Sequence, residues 1–517
     1  MRWRVAGVCG GCWVITLLGL WASEPGHAPA AFEDPDRRAR IEAVLPKLDA
    51  VYERHALTHH LPGYAYGVVV DGRLIHSRAW GLARIEPAIP VTTDTRFRIA
   101  SMTKSVTALA ILKLRDAGKL TLEDPLERHV RAFRKAGLPT DDSPKITVRH
   151  VLTMTAGFPQ DDPWGDRLLD QSPREFQAMI AGGLEFSNPP GVTWEYSNLG
   201  YALLGEVISH ASGRPYQEYI TREILRPLGM TDTGWEHATV PGDRLAQGYR
   251  WEHGRWQAEP LLHDGAFGAM GGLITTLGDL AKYQAFHLEA WPPRDGADSG
   301  PVSRATRREM HRPAEVLSVL TNAPVAGSAA LPRVAGYSYG LSWNQDARGV
   351  IWLRHGGGLP GYGCEHRFLP DHGVGLIALA NRTYAPMTAA NAEAMEILLT
   401  EARLRARLPI APPMLRRRAE QLAALLQSWD PDLAADALSS NVFLDRSESD
   451  WKAAAAEAMA ACGAIRTVTP IRPQNLLRGR FDLIGDRGRV EVFMTLMPER
   501  PPRIQQIQLK VLPTATP

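Results

Sequence analysis

The sequence predicts an α+β protein in which an antiparallel sheet is flanked by helices, with an all-helical lobe and a small C-terminal α+β module. Two observations predict this architecture. Strand patterns lie at both ends of the first 400 residues, and helical patterns fill the stretch between them. A proline-rich segment at 408–413 then separates this region from residues 414–517, where two helical patterns precede several strand patterns.

The elements follow one another in a definite order. Apolar residues at helical spacing predict a helix over 38–55, and two β-rich runs joined by Asp71-Gly72 predict a hairpin. A largely apolar helix is expected from about Ser101 to Ala117. Strand patterns return between 337 and 381, and a helix is expected over 388–405. We therefore expect four segments: an N-terminal signal (1–30), a large α+β domain (31–407), a linker (408–413) and the C-terminal module (414–517).

The first 30 residues have the features of an export signal. Arg2 and Arg4 precede an apolar run from Val5 to Trp21, and Ala28-Pro29-Ala30 offers a small-x-small cleavage site. The sequence therefore predicts an exported protein, periplasmic or extracellular. The alternative is an uncleaved anchor, which would give the protein its one contact with a membrane, although the run is short for a spanning helix of about 20 residues.

Composition excludes several classes of function. The formal net charge is +2 and no long basic run occurs, which argues against nucleic acid as a partner. Cys9 and Cys12 lie in the signal, so Cys364 and Cys462 remain; we expect two free thiols, with a disulfide as the alternative. No His and Cys cluster has metal-ligand spacing, and no metal site is predicted.

Ser101 and Lys104 are the first candidates for chemistry. Residues three apart share a helix face, so the lysine amine lies within reach of the serine oxygen. A serine hydroxyl becomes a good nucleophile when a base removes its proton, and a lysine acts as that base if its pKa is lowered. A second pair with this spacing, Ser449 and Lys452, has no supporting context and is interpreted as a helix cap and a surface lysine.

Two further motifs follow Ser101 in the chain. Tyr196-Ser197-Asn198 is the only Tyr-x-Asn, and His355-Gly356-Gly357-Gly358 directly follows a predicted strand. With these three motifs in this order, the chain resembles the serine β-lactamase and penicillin-binding-protein superfamily, in the branch of class C β-lactamases, D-Ala-D-Ala carboxypeptidases and lactamase-like esterases. The resemblance covers about residues 40–400 and extends to flanking phrases: HVLTMTAG at 150–157, YSNLGYALLG at 196–205, PLGM at 227–230, GGL at 271–273 and DLA at 279–281.

The resemblance implies a β-lactamase/transpeptidase-like fold and a role for each motif residue. Ser101 would attack a carbonyl and form an acyl-enzyme, while Lys104 and Tyr196 would share the acid and base work. Asn198 would fix Lys104 or a substrate amide. The third-motif residues His355, Gly357 and Gly358 would bind substrate, and the backbone N–H groups of Ser101 and Gly358 would form an oxyanion hole. No cofactor or metal is needed.

His355 departs from many members of this superfamily, which carry lysine at its position. A lysine offers a permanent positive charge, whereas histidine with a pKa of about 6.5 is mostly neutral at pH 7. The departure disfavours binding of a substrate carboxylate at this position. It favours esters or amides, or a peptide whose carboxylate is met elsewhere. Specificity is expected to depend on loops around 155–195 and 285–335.

The sequence therefore predicts an exported serine hydrolase that acts through an acyl-enzyme on an ester or amide. Its substrate would be a small molecule or a peptidoglycan-like peptide, as for an esterase or a D-Ala-D-Ala carboxypeptidase. A true β-lactamase, or a catalytically silent ligand-binding or scaffold protein, is the alternative. Ser338, in a Gly-x-Ser-x-Gly pattern, is a weaker nucleophile candidate because a strand rather than a helix is predicted after it. The C-terminal module would shape substrate access or assembly.

Overall fold

A computed structural model describes residues 29–298, 300–320 and 332–513. The chain forms two compact units, Ala30–Leu408 and a second unit that begins at Pro409. The predicted export signal falls mostly on residues 1–28, which lie outside the described residues. Within the described ranges, no helix combines the length and the apolar character that crossing a membrane requires.

The centre of the larger unit is a nine-stranded antiparallel sheet. The described strands of this unit are β1 (Gly63–Val70), β2 (Arg73–Arg84), β3 (Ile89–Pro90), β4 (Phe97–Arg98), β5 (Tyr249–Glu252), β6 (Arg255–Ala258), β7 (Ile274–Thr275), β8 (Glu315–Leu320), β9 (Arg333–Tyr337), β10 (Ser342–Asp346), β11 (Ile351–Leu359), β12 (Tyr362–Leu369) and β13 (Val374–Ala380). The order across the sheet is β3-β2-β1-β13-β12-β11-β10-β9-β8, while β4 pairs with β7 and β5 with β6. Strands from both ends of the unit thus meet where β1 pairs with β13.

Helices cover the sheet and build the lobe between β4 and β8. They are α1 (Arg37–Thr58), α2 (Thr103–Asp116), α3 (Leu126–His129), α4 (Val148–Leu152), α5 (Pro173–Ala181), α6 (Asn198–Ser212), α7 (Tyr216–Ile220), α8 (Gly268–Gly271), α9 (Leu277–Glu289), α10 (Arg304–Met310) and α11 (Met387–Thr400). The antiparallel sheet, flanking helices and helical lobe confirm the predicted α+β fold.

Each face of the sheet has its own core. Successive side chains of a strand point to opposite faces of the sheet. Strand β1 is buried along its whole length because both of these faces are covered. Val68 faces a core shared with α1 and α11, whereas Val69 faces the core that includes α2, α9 and the helical lobe. This second core places α2 and its N-terminal turn beside the sheet.

The C-terminal unit is a five-stranded sheet with helices. Its helices are α12 (Pro413–Gln427), α13 (Pro431–Ala437), α14 (Val442–Asp445) and α15 (Glu448–Cys462), and its strands are β14 (Ile465–Val468), β15 (Arg472–Asn475), β16 (Arg478–Gly485), β17 (Gly488–Leu496) and β18 (Ile504–Pro513). Cys462 in this unit and Cys364 in the larger unit are both buried free thiols.

Candidate active site

Ser101 lies in a 3₁₀ turn, Ala100–Met102, that leads directly into α2. Ala100 adopts φ of 47°, in the left-handed region that a residue with a β-carbon rarely occupies. Such a conformation costs on the order of 1–3 kcal/mol and persists only where the surroundings impose it. Ala100 is fully buried in the main core, which holds the turn in place. The strained turn places Ser101 on the wall of a cleft.

Lys104 contacts the serine as its spacing predicts. Its Nζ lies 2.9 Å from Oγ of Ser101, 2.6 Å from Oδ1 of Asn198 and 3.1 Å from the carbonyl oxygen of Met270. The side chain is completely buried. Burial lowers the pKa of Lys104 to about 8, against the opposing negative charges of Asp166 and Asp162. A lysine with this pKa is available in its neutral form near physiological pH, as a general base must be.

Asn198 is the first residue of α6 and links Lys104 to an acidic loop. The carboxylate of Asp161 accepts the backbone N–H groups of Asn198 and Leu199, each at 2.7 Å, which places a negative charge at the helix N-terminus. The Asn198 side chain donates to Asp162 at 2.6 Å and to Asp166 at 3.4 Å. Its amide therefore has a fixed orientation, with the oxygen on Lys104 and the nitrogen on the carboxylates.

Tyr196 lies on the other side of Lys104, whose Nζ is 4.9 Å from the centre of the tyrosine ring. Burial raises the pKa of Tyr196 well above its ordinary value, with Ser101 as a hydrogen-bond partner that opposes this effect and the Asp162 charge adding to it. The phenol therefore keeps its proton at neutral pH. It is suited to donate a proton and poorly suited to be the primary base.

The third motif forms the cleft edge of β11. Residues 351–354 of this strand pair with β10, but 355–359 pair only with β12, so their other edge is free. A β-carbon on Gly357 would overlap the carbonyl oxygen of Ile99, and one on Gly358 would come within 2.6 Å of the Tyr384 ring. Gly357 thus permits β11 to approach the turn that carries Ser101, and Gly358 leaves room for the Tyr384 ring beside the strand.

His355 is neutral and has a defined tautomer. Its Nδ1 lies 2.6 Å from the carbonyl oxygen of Gly356, so this nitrogen carries the proton and donates. Burial, with the nearby Lys104 charge, lowers the pKa of His355 to about 3. Its Nε2 is therefore an acceptor, and within the described ranges it has no hydrogen-bond partner.

The motif residues line one cleft of about 620 Å³. Ser101, Tyr196, His355, Gly357 and Gly358 form its wall directly, while Lys104 and Asn198 lie buried behind Ser101. Sequence reasoning missed other lining residues, among them Asp162, Asp166, Trp194, Tyr337, Arg354 and Tyr384. The first three belong to the 155–195 loop that was expected to set specificity, and the acidic pattern Asp-Asp-Pro-Trp-Gly-Asp at 161–166 was the available signal.

The competing serine candidates lie elsewhere. Ser338 is completely buried in a turn that leads into β10, so the strand-to-helix geometry of a nucleophile elbow is missing there. Ser449 lies in the first turn of α15, where Ser447 rather than Ser449 is the N-cap, and Lys452 pairs with Glu448. In the part of the chain that the structure describes, the group best arranged to hold a metal is Glu236, His237 and His263, which do not line the cleft.

Solved structures share this fold. The chain matches an octameric penicillin-binding protein homologue from Pyrococcus abyssi with a TM-score of 0.59 and 22% identity, over 90% of this chain and 95% of that one. A penicillin-binding protein from Bacillus halodurans matches with a TM-score of 0.53 and 24% identity, over 67% of this chain and 98% of that one. The β-lactamase/transpeptidase-like fold expected from the motifs is confirmed.

Curated relatives match about two thirds of the chain. Protein flp of Staphylococcus aureus is 26% identical over 340 residues, which is 65% of this chain and 62% of the relative, so less than two thirds of its length is matched. Esterase EstB of Burkholderia gladioli is 29% identical over 390 residues, 69% of this chain and 96% of EstB. A family model described as Beta-lactamase matches residues 42–400, more than half of the chain. The protein therefore belongs to the β-lactamase family of serine hydrolases.

Proposed function

We propose that this protein hydrolyses an ester or amide through an acyl-enzyme on Ser101. The observation that carries the proposal is the contact of 2.9 Å between Nζ of Lys104 and Oγ of Ser101 in a buried site where the pKa of the lysine is lowered to about 8. A nucleophile within reach of a base whose pKa is close to the operating pH is the arrangement that covalent catalysis requires.

Each proton of the reaction has a carrier in the site. Neutral Lys104 takes the proton of Ser101 as its oxygen attacks the carbonyl carbon, giving a tetrahedral intermediate whose oxyanion lies beside the free edge of β11. The leaving alcohol or amine receives a proton from Tyr196, which recovers it from Lys104. A water molecule then attacks the acyl-enzyme, again giving up a proton to Lys104, and Ser101 is released with its proton restored. No step of this reaction needs a metal or a cofactor.

Intact-mass spectrometry tests the proposal. Wild type is exposed briefly to a fluorescent penicillin and separately to a p-nitrophenyl ester, and compared with Ser101→Ala and with Ser338→Ala as the matched buried-serine control. We expect an adduct on wild type and on Ser338→Ala that is missing from Ser101→Ala. An adduct that persists in Ser101→Ala refutes the assignment of the nucleophile. Folded wild type that gives no adduct and no ester turnover supports a ligand-binding or scaffold role. The reagent that turns over distinguishes esterase, peptidase and β-lactamase activity.

We also propose that the enzyme is exported, on the strength of the basic, apolar and small-residue pattern of residues 1–30. Its substrate would then be a small molecule or a peptidoglycan-like peptide outside the cytoplasm. Fractionation of cells that express the full chain, with a chain lacking residues 2–30 as control, tests this. Retention of the full chain in the cytoplasm contradicts it.

The C-terminal unit has a proposed role in substrate access or assembly, because sequence analysis gives it no catalytic pattern. Truncation after Pro412 is expected to change the specificity or the oligomeric state while Ser101 still forms an adduct. If the truncated protein has the same rate, specificity and oligomeric state as the full chain, this role is excluded.

A further inference from the structure

Glu236, His237 and His263 bring three groups that bind metals together outside the cleft. Oε1 of Glu236 lies 3.0 Å from Nδ1 of His263 and 3.6 Å from Nε2 of His237, and the three ligand atoms all lie within 4.8 Å of one another. Around a tetrahedral ion with metal–nitrogen distances of about 2.0 Å, the ligand atoms are about 3.3 Å apart, which lies between these two separations. No sequence motif predicted this group, because His263 follows Glu236 by 27 positions and only folding brings them together.

The ring nitrogen of His237 that faces Glu236 lacks a satisfied contact. Nε2 of His237 is buried and has no hydrogen-bond partner among the residues that the structure describes. Its separation of 3.6 Å from the Glu236 carboxylate is too long for a hydrogen bond. A buried polar atom without a partner is costly unless a water molecule or an ion satisfies it. A metal ion held between the two groups would accept the lone pair of this nitrogen.

The segment that carries the first two ligands is held in place. Gly234 exchanges two backbone hydrogen bonds with Ile274, at 2.9 and 2.8 Å. The Glu236 carboxylate accepts the backbone N–H groups of Ala238 at 3.1 Å and of Asp264 at 3.4 Å. The second of these bonds joins the carboxylate to the segment of the third ligand. Such outer hydrogen bonds orient the ligands of a metal site.

The third ligand lies in the loop between β6 and α8, and this loop is anchored on both sides of His263. The Arg98 guanidinium donates to the Leu262 carbonyl, and Gln217 donates to the Asp264 carboxylate at 2.7 Å. The His263 side chain itself is 66% exposed. An ion can therefore reach the group from solvent, which is the entry path that a metal site needs.

The donor atoms indicate the kind of ion. Two imidazole nitrogens and one carboxylate oxygen suit zinc and its neighbours in the first transition row, whereas Mg²⁺ and Ca²⁺ take oxygen ligands. We propose that Glu236, His237 and His263 bind a divalent transition-metal ion of the zinc class, with the fourth position left to solvent. The ion links the 3₁₀ turn His237–Thr239 to the loop between β6 and α8. None of the three residues lines the cleft, so the site is separate from the acyl-enzyme chemistry.

Calorimetric titration with Zn²⁺ tests the proposal. The full chain, without a histidine tag, is first freed of metal with a chelator that is then dialysed away. We expect wild type to bind Zn²⁺ at least about tenfold more tightly than His263→Asn or Glu236→Gln, since loss of a direct ligand should cost no less than loss of an outer partner. Glu236→Gln keeps a side-chain oxygen for the Ala238 N–H, so it removes the charge and keeps the cap.

His253→Asn is the matched control. His253 is another histidine close to a glutamate, 3.9 Å from Glu252, and its side chain is 79% exposed. This variant should bind Zn²⁺ as wild type does. Zinc held by Cys9 and Cys12 would bind equally well to His263→Asn, so it is distinguished from zinc at the proposed site. Wild type that binds no Zn²⁺, or binds it no more tightly than His263→Asn, overturns the proposal.

Two further measurements test the ion and its place. Zn²⁺ should raise the melting temperature of wild type and of His253→Asn, but not that of His263→Asn, because the ion binds the folded state. An equal rise with Mg²⁺ or Ca²⁺ overturns the assignment of a transition metal. Hydrogen exchange with Zn²⁺ should be slowed at residues 236–239 and 261–266, and unchanged exchange in both segments overturns the proposed link between them.

Discussion

Replacing Asn198 by alanine should move the pH dependence of acylation to lower pH. In the wild type, Oδ1 of Asn198 accepts a hydrogen bond from Nζ of Lys104 at 2.6 Å, and this bond is strongest when the lysine is charged. A hydrogen bond to a charged group contributes roughly 1.5–3 kcal/mol, and one pKa unit corresponds to about 1.4 kcal/mol. Loss of the bond should therefore lower the Lys104 pKa from about 8 by roughly one to two units.

The assay is kcat/KM for an ester whose turnover depends on Ser101, followed from pH 5.5 to 9.5. The acid limb of this profile reports the base of the free enzyme. We expect the wild-type limb near pH 8 and the Asn198→Ala limb about one to two units lower, even if the plateau falls because Lys104 is less well positioned. Asn198 acts through Lys104 and is therefore a positioning residue.

Asn391→Ala is the matched control. Asn391 is also a completely buried amide with two hydrogen bonds, from Tyr52 at 2.6 Å and to the carbonyl oxygen of Glu365 at 3.1 Å, but it does not contact Lys104. Its loss should reduce stability and leave the acid limb near pH 8. An Asn198→Ala limb at the wild-type pH, or above it, would refute the reasoning that this bond sets the lysine pKa.

Two further perturbations follow from packing and burial. Gly357→Ala should prevent adduct formation while the circular dichroism spectrum stays that of a folded protein, because the added carbon would overlap the Ile99 carbonyl and push β11 away from Ser101; a normal rate of labelling would contradict this. Acid should destabilise the protein through His311, His366 and His372, because burial lowers their pKa values to about 3, about 4 and about 4. In the folded protein these histidines stay neutral, whereas in the unfolded protein they bind protons below about pH 6.5. The free energy of unfolding therefore has its full value above that pH and falls as the pH drops towards 4, by up to about 1.4 kcal/mol per pH unit for each histidine. Urea unfolding at pH 7.5, 6 and 4.5 measures this, and equal free energies of unfolding would exclude it.

Elements specified by local patterns were predicted well. The turn at Asp71-Gly72 joins β1 and β2 as expected, and the helix expected over 38–55 spans Arg37–Thr58. The strand patterns expected between 337 and 381 were wrong over residues 338–341, because Gly340 has φ of 71° and the Ser338 N–H donates to the Leu341 carbonyl in a turn before β10. A left-handed glycine within an apolar run leaves no periodic signal.

In the candidate site, too, local spacing predicts some contacts, whereas others depend on long-range packing. The contact between Ser101 and Lys104 follows from their three-residue spacing, which can be read directly from the sequence. The approach of Tyr196 and His355 depends on long-range packing, and it could be expected only because the three motifs occur in a familiar order. Asp162 and Tyr384 were missed because their place in the cleft depends on the path of a loop and on a residue after β13, neither of which has a periodic pattern.

The pairing of β1 with β13 constrains when this protein can fold during its synthesis. Tyr64 is opposite Ala380, so this pair of neighbouring strands joins residues more than 300 positions apart. At a synthesis rate of roughly 5–20 residues per second, the β1–β2 hairpin waits on the order of 15–60 seconds on the ribosome for its partner. During that time the inner edge of β1 is an unpaired apolar strand, which is the kind of surface that chaperones bind and that aggregates when it is left uncovered.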